Sequence, residues 1–315
     1  MEMLDPDTRR LLRSMLSLEE MNRVAIGVMI HNEAGNLPGL LERLRTESIE
    51  GVYPDPIVVV SSGSTDESEA IVEQVAREDD RVHLISENER RGKAHAINQF
   101  LDQFTSNADI CILISGDVLP ESGSLARLVE PLRTPDVGMT GGRVVPVNPR
   151  HTPVGQIVHA LWALHHAVAR RQPKLGEMVA FRSSIGRLDP RTPVDEASIE
   201  AKVIGTHQRL VYVPEARVYN RGPANIAELI QQRQRIWRGH RWLRKHTGYT
   251  VATYRLRDLM LPAIGHLIRH PLTLPGLIAA TLIEIWSRLE ARHSKAPLPT
   301  VWAMLSSTKA PIQPS

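Results

Sequence analysis

Five apolar residues in a row, Ile110-Cys111-Ile112-Leu113-Ile114, run straight into Ser115-Gly116-Asp117. Such a run has no polar face to give to water. Closed by a glycine turn, it predicts a central strand covered on both sides, as in a parallel sheet. The chain then has to supply the covering layers, and its patterning does so. Val24–Ile30, Ile57–Val60 and Val82–Ile85 read as further strands. Helical spacing follows each: Leu37, Leu40, Leu41 and Leu44; then Ile71, Val72 and Val75; then Ala94, Ile97 and Leu101. This alternation predicts right-handed βαβ units, hence an α/β fold with a mostly parallel central sheet flanked by helices. Val137–Val145, Glu177–Phe181 and Arg209–Val213 read as later strands, with an apolar helix over Val154–Ala169. From Ile226 onward the pattern is helical. The expected division is a charged helical lead-in over 1–22, a main domain over 23–225 and a helical C-terminal region over 226–315.

In such a sheet the polar loops at the strands' carboxyl ends converge on one edge, where open α/β sheets bind ligands. Asp117 lies there as a lone carboxylate, well placed to hold a divalent cation against a substrate phosphate. The other loops on that edge are His31-Asn32-Glu33-Ala34-Gly35-Asn36 and Ser61-Ser62-Gly63-Ser64-Thr65-Asp66-Glu67. In the second, Ser64 and Glu67 have capping-box spacing, and Asp66 is expected to shape the helix entry. Arg90-Arg91-Gly92-Lys93 opens a helix, so amides and cations there can meet phosphate. It is not a P-loop, because the Gly-x-x-x-x-Gly-Lys-Ser/Thr spacing is absent. No Gly-x-Gly-x-x-Gly follows the first strand, which counts against a nicotinamide cofactor.

Further along, Asp195, Glu196 and Glu200 cluster at a helix start. Carboxylates there either favour the helix dipole or do proton chemistry. Gln232, Arg235 and Trp237 lie on a basic helix. Leu229, Ile236 and Leu243 mark its packed face, while Arg238, Arg241 and Lys245 share another. The loop Lys174-Leu175-Gly176-Glu177-Met178 and Arg182 are read as lining an acceptor. His165 and His166 point to different sides of a helix, so they cannot ligate a metal together as an i, i+4 pair can.

The net charge of +3 and a sequence pI near 9.2 suit anionic ligands. Nucleic acid is the rival use of this charge. No zinc-finger, helix-turn-helix or RNA-binding aromatic signature accompanies it, so nucleic acid is not an expected partner. The single cysteine, Cys111, falls inside the apolar strand and reads as a small buried hydrophobe. No intrachain disulfide can form, which fits a reducing cytoplasm. The N-terminus lacks a signal-peptide apolar core. Leu259 to Trp286 is apolar but broken by Arg269, Glu284, Pro262, Pro271 and Pro275. Three readings of it stay open: packing on the main domain, a homodimer interface, or peripheral membrane contact favoured by Arg255, Arg257 and Arg269.

Taken in order, these loops resemble those of family 2 glycosyltransferases, which have the GT-A fold. His31-Asn32-Glu33 resembles the family's Asn-Glu loop, and Ser61 through Asp66 its Asp-Asp-Gly-Ser-Thr-Asp loop. Arg91-Gly92-Lys93-Ala94 with Asn98 is similar to a third element. Ser115-Gly116-Asp117 stands at the Asp-x-Asp metal motif. Asp195-Glu196 stands at the Glu-Asp pair, before Val211 through Ala216. Gln232 through Trp237 looks like Gln-x-x-Arg-Trp with one extra residue. The resemblance implies a cytoplasmic inverting transferase that moves a sugar from a nucleotide-diphospho-sugar to an acceptor hydroxyl. Asp117 would hold Mg²⁺ or Mn²⁺; Asn32, Glu33, Ser61, Ser62, Arg91, Lys93, Asn98 and Arg235 would bind the donor. Glu196, with Asp195 beside it, would be the base, and Glu177, Arg182, Gln232 and Trp237 would line the acceptor: a carbohydrate, a lipid-linked molecule or a small molecule. Ser61, Ser62 and Ser115 replace family aspartates, so a nucleotide-sugar-binding protein with little or no catalysis is an alternative. A nucleotidyltransferase is another, but His31–Asn36 holds only one glycine.

Overall fold

The computed structural model describes residues 23–49, 53–106, 108–254, 256–293, 301 and 304–313. The lead-in expected over 1–22, and Arg255, lie outside them. Eight strands form one sheet: β1 (Val24–Ile30), β2 (Ile57–Ser62), β3 (Val82–Glu87), β4 (Ile110–Ser115), β5 (Val118–Pro120), β6 (Val137–Pro146), β7 (Met178–Arg182) and β8 (Arg209–Asn220). Their order is β3-β2-β1-β4-β7-β6-β8-β5. The helices are α1 (Leu37–Thr46), α2 (Ser68–Glu78), α3 (Lys93–Phe104), α4 (Ser124–Val129), α5 (Pro153–Ala169), α6 (Asp195–Gly205), α7 (Ile226–Thr247), α8 (Leu256–Arg269) and α9 (Leu274–His293).

The first four strands pair in parallel, as their patterning predicts. β1, β2 and β4 are buried on both faces, while the edge strand β3 is only partly covered. Ile26, Val28, Val59, Ile112 and Ile114 join the α1 leucines in one core layer. Ala25, Val58, Val60, Cys111 and Leu113 join Ile97 and Phe100 of α3 in the other. Each fully buried side chain of this kind contributes roughly 1.5–3 kcal/mol of transfer free energy, which fixes which residues face which layer. Cys111 is wholly buried, and burial pushes its thiol up to about 12.

Past β4 the sheet becomes mixed. β7 runs antiparallel to β4, pairing Met178 with Ile114 and Arg182 with Ile110. That direction puts Glu177 at the same edge as Asp117. It sends Arg182 to the opposite edge, where its guanidinium donates to Val137 O and Leu132 O. The acceptor role expected of Arg182 is therefore corrected. Three local readings also change. The strand expected from Glu177 starts at Met178, because Glu177 is left-handed (φ +62°). β8 does not stop at Val213. Residues 214–216 bulge out of register with β6, and the strand resumes to Asn220. A bulge is where a strand tolerates a proline such as Pro214. The Ser64–Glu67 capping box does not form; α2 starts at Ser68, and Asp66 accepts from Ser68 N at 3.0 Å and Ala34 N at 3.1 Å.

α8 and α9 both pack on α5, and α9 also packs on α7. α9 turns Gly276, Ala280, Ser287 and Ala291 inward. Its other side, with α8 and the turn between them, is apolar and exposed: Ile268 is 77% and Leu272 is 94% exposed, and Ile264, Ile278, Leu282 and Trp286 are all more than half exposed. Pro271–His293 is long and apolar enough to cross a membrane by length and composition.

Candidate active site

A cavity of about 900 Å³ opens at the carboxyl edge of the sheet, walled by the strand loops, α5, α6, α7, α8, α9, Val301 and the segment 304–309. Its polar end holds His31, Glu33, Ser62, Arg90, Lys93, Asp117, Glu177, Asp195 and Glu196. Its far walls are apolar, with Leu161, Leu259, Met260, Leu277 and Ile285.

Lys93 organises the polar end. Its Nζ donates to Glu196 Oε1 at 2.7 Å and to Ser115 Oγ at 3.0 Å, and it lies 2.7 Å from Asp195 Oδ2. One ammonium thus ties the start of α6 to the end of β4. Burial would push the Glu196 carboxyl up, but Lys93 outweighs it and holds Glu196 at about 2. Burial and neighbouring Glu196 push Asp195 the other way, above the usual carboxylate range, against the pull of Lys93. The pair thus divides into a firmly ionised member and one with raised proton affinity.

Glu33, Asp117 and Glu177 make a second acidic group. Burial first and Asp117 second push Glu33 to about 8, while Lys309 pulls it down. Burial, Asp117 and Glu196 push Glu177 to about 8 as well. Two carboxyls that resist ionising beside a third mark a region short of positive charge. Burial and Arg235 lower the Arg90 guanidinium, so two cations that both line the cavity lie close together, as an anion site requires.

Other expected residues hold loops together. Asn32, left-handed at φ +54°, accepts from Thr65 N at 2.7 Å and staples the first loop to the second. Ser61 Oγ bonds Glu69 at 2.6 Å and Ser64 at 2.9 Å. Ser62 Oγ donates to Glu87 at 2.9 Å while the residue borders the cavity. Asn98 is buried away from the cavity; it donates to Leu188 O at 3.0 Å and accepts from Leu188 N at 2.8 Å. Its expected donor contact is corrected, since both ends of its amide are spent on the loop that leads into α6. Arg91 is exposed and off the cavity wall, and Arg90 lies on it instead. Gln232, Arg235 and Trp237 do line the cavity, with Trp237 stacked on Tyr254 at 6.3 Å. Glu200 accepts from Leu175 N at 2.6 Å and from the Tyr249 hydroxyl at 2.9 Å, so it braces the loop before Glu177. His166 meets the Tyr212 hydroxyl at 2.8 Å. Lys174 lies on the wall, in the loop expected there, whereas sequence reasoning gave no role to His31, Arg233 and Lys309, which also line it. Of these, His31 and Arg233 sit inside segments already singled out, whereas Lys309 carries no local signal.

The family model described as glycosyl transferase family 2 matches residues 25–188, more than half of the 315 residues. The chain belongs to glycosyl transferase family 2. Within that stretch lie all the β1–β4 loops of the cavity. This family 2 chain is 30% identical over 118 residues to an undecaprenyl-phosphate 4-deoxy-4-formamido-L-arabinose transferase of Proteus mirabilis, covering 36% of this chain and 35% of that protein. It is 27% identical over 124 residues to glycosyltransferase AglE of Haloferax volcanii, covering 38% and 39%. The matched stretch thus spans little more than a third of the length of these relatives. Among solved structures, the mannosyltransferase PcManGT of Pyrobaculum calidifontis, in complex with GDP-Man and Mn²⁺, aligns with a TM-score of 0.56 at 22% identity, over 91% of this chain and 84% of that one. The fold is GT-A: a curled, mixed but largely parallel sheet between helices, with helices at the C-terminus.

Residues at the polar end fit a hard divalent cation. Among the described residues no three His, Cys, Asp or Glu side chains form a ready cage. Asp117 instead offers one carboxylate, in a region where two neighbouring carboxyls resist ionising even with Lys309 and Lys93 close by. That suits Mg²⁺ or Mn²⁺, which keep water and take phosphate oxygens from substrate.

Proposed function

We propose that this family 2 chain is a metal-dependent, inverting glycosyltransferase that moves a sugar from a nucleoside-diphospho-sugar to an acceptor hydroxyl on a lipid-linked molecule. One observation carries the reading: a single cavity joins Asp117, the Lys93-bound Asp195–Glu196 pair, and apolar walls on α8 and α9. Residues 23–225 form the transfer domain, and the helices after 226 wall its cavity.

Asp117 would hold the cation, which when bound helps neutralise the departing diphosphate. Arg90 and Arg235 face the same anion. In a single displacement the acceptor oxygen forms a bond to the anomeric carbon as the bond to the β-phosphate oxygen breaks, which inverts that centre. The hydroxyl proton passes to the acid pair, and the nucleoside diphosphate leaves with the electron pair. The motif position favours Glu196 as the base. Proton affinity favours Asp195, since a base works best when its pKa approaches the working pH. Geometry agrees: Asp195 Oδ2, though near Lys93 Nζ, is buried without a hydrogen bond, whereas Glu196 Oε1 accepts from Lys93 Nζ, so we assign the proton to Asp195 and the anchoring of Lys93 to Glu196. Trp237 and the apolar walls would take the acceptor. The undecaprenyl-phosphate named for the Proteus relative supports a lipid-linked acceptor. The exposed apolar face of α8 and α9, with Arg269 and Arg292 exposed on the same helices, supports a peripheral position on the cytoplasmic side of a membrane.

Calorimetric titration with UDP, GDP, dTDP and ADP, each with and without Mn²⁺, tests the reading. Expected is metal-dependent binding of one diphosphate, lost in Asp117→Ala. Binding of none of them refutes it.

A further inference from the structure

The segment 304–313 folds back over the loop after β1. Ile312 N donates to Asn36 Oδ1 at 3.2 Å, and Arg221 donates to Pro311 O at 3.1 Å. Ser307 Oγ accepts from Ala224 N at 2.9 Å and donates to Glu228. Leu305, Thr308 and Ile312 are buried, so the segment is packed along its length. Gly35 permits the approach, since a Cβ there would lie 3.2 Å from Lys309 O. The strap thereby delivers Lys309 into the cavity, where Nζ donates to His31 O at 3.1 Å and to Glu33. Glu33 in turn lies against the turn that bears Asp117: a Cβ on Gly116 would come within 2.9 Å of Glu33 Cγ. Lys309 is thus one side chain removed from Asp117. Glu33 is only 4% exposed, borders the cavity, and keeps its second oxygen buried without a protein partner.

We propose that Lys309 is a donor-binding residue, carried into the site by a C-terminal strap that serves as one of its walls. The proposal rests on the transferase reading. A diphosphate entering this end meets Glu33, Asp117 and Glu177, all anionic or costly to ionise. A divalent cation at Asp117 offsets part of that charge. The Lys309 side chain is only 23% exposed and its ammonium is held in place by His31 O and Glu33, so it offsets more with little ordering cost on binding. The donor site then depends on a residue 276 positions from Glu33 and far beyond the matched stretch 25–188.

The test uses the full chain and whichever nucleoside diphosphate the wild type binds in Mn²⁺ buffer. Lys309→Met should weaken binding by roughly tenfold or more, with a shallower salt dependence, and Lys309→Arg should restore most of it. A Lys309→Met variant that folds and binds like wild type overturns the inference. Lysine acetylation of the wild type, read by mass spectrometry with and without nucleotide, needs no variant. Protection of Lys309 by nucleotide is expected, and equal labelling overturns the inference. Absence of any diphosphate binding by wild type would instead defeat the transferase reading beneath it.

Discussion

Replacing Lys93 by Met removes the ammonium shared by Asp195, Glu196 and Ser115. Breaking a buried ion pair by deleting one partner costs about 3–5 kcal/mol. The Lys93 side chain is 35% exposed, and water screens part of the interaction, so about 2–3 kcal/mol is the fitting figure. At roughly 2.1 cal/mol/K per residue, the 315 residues carry an unfolding entropy of about 0.66 kcal/mol/K, and Tm should fall by about 3–5 °C near neutral pH. The pH dependence is the sharper part. Without Lys93, two adjacent buried carboxyls acquire folded pKa values above their unfolded ones. Such groups stabilise the fold below the unfolded pKa and lose that contribution as pH rises. The variant's deficit should therefore shrink from about pH 7 toward about pH 5. In wild type Glu196 alone of the pair behaves in the opposite sense, since Asp195 is already raised. Glu196, held at about 2 against an ordinary 4.5, contributes above 4.5 and loses that contribution as pH falls toward 2. Calorimetric melts of both proteins at the two pH values read this directly. A deficit that stays constant with pH, or no deficit, would refute the coupling of Lys93 to the pair. In turnover, the acid limb of the kcat profile should move to higher pH, because the remaining carboxyls hold a proton more tightly.

Asn98→Ala should cost about 2–4 kcal/mol in urea unfolding, since it strands the buried N–H and C=O of Leu188, and should lower kcat more than it raises the donor KM. Asp195→Asn should abolish transfer while sparing nucleotide binding; a variant that still transfers, beside an inert Glu196→Gln, would return the base to Glu196. Glu177→Gln should flatten the fall in Tm of the metal-free protein between about pH 5 and pH 8, because a carboxyl raised to about 8 loses its contribution as pH rises through that range; an unchanged slope would contradict this. Ile268→Asp with Leu282→Asp should abolish co-sedimentation with anionic phosphatidylglycerol vesicles. If wild type ignores vesicles and elutes as a dimer that the double variant breaks, the face is an interface between copies instead.

The sheet's parallel half was legible because strands buried on both faces have no polar positions, a pattern that few other structures produce. The location of Asp117 followed from it, since parallel strands all end on one edge. The direction of β7 was not legible. Its residues are as apolar whichever way it runs, and that choice decided whether Arg182 or Glu177 reached the site. Arg91 was read from its place beside a helix-opening glycine turn and Asn98 from the resemblance, but neither position in sequence nor a motif match says whether a polar group faces a ligand or a backbone. Asn98 found two backbone partners at Leu188, and Arg91 found water. Lys309 illustrates the remaining gap. Its place depends on a return of the chain across hundreds of residues, which no local periodicity encodes.

Glu284 follows directly on the mostly apolar first half of α9. It accepts from Arg233 of α7 at 2.8 Å and from Arg288 at 2.8 Å, and these two arginines with Tyr254 border the cavity. For α9 to leave the protein and enter hydrocarbon as a span, it would have to pull Glu284 from Arg233 and carry an acid to the bilayer centre, at a cost of at least about 2.5–3.5 kcal/mol. If the proposed peripheral position on a membrane holds, this one ion pair would keep one side of α9 on the polar cavity while the other side rests in oil, so it would set both the depth of that contact and the shape of the cavity.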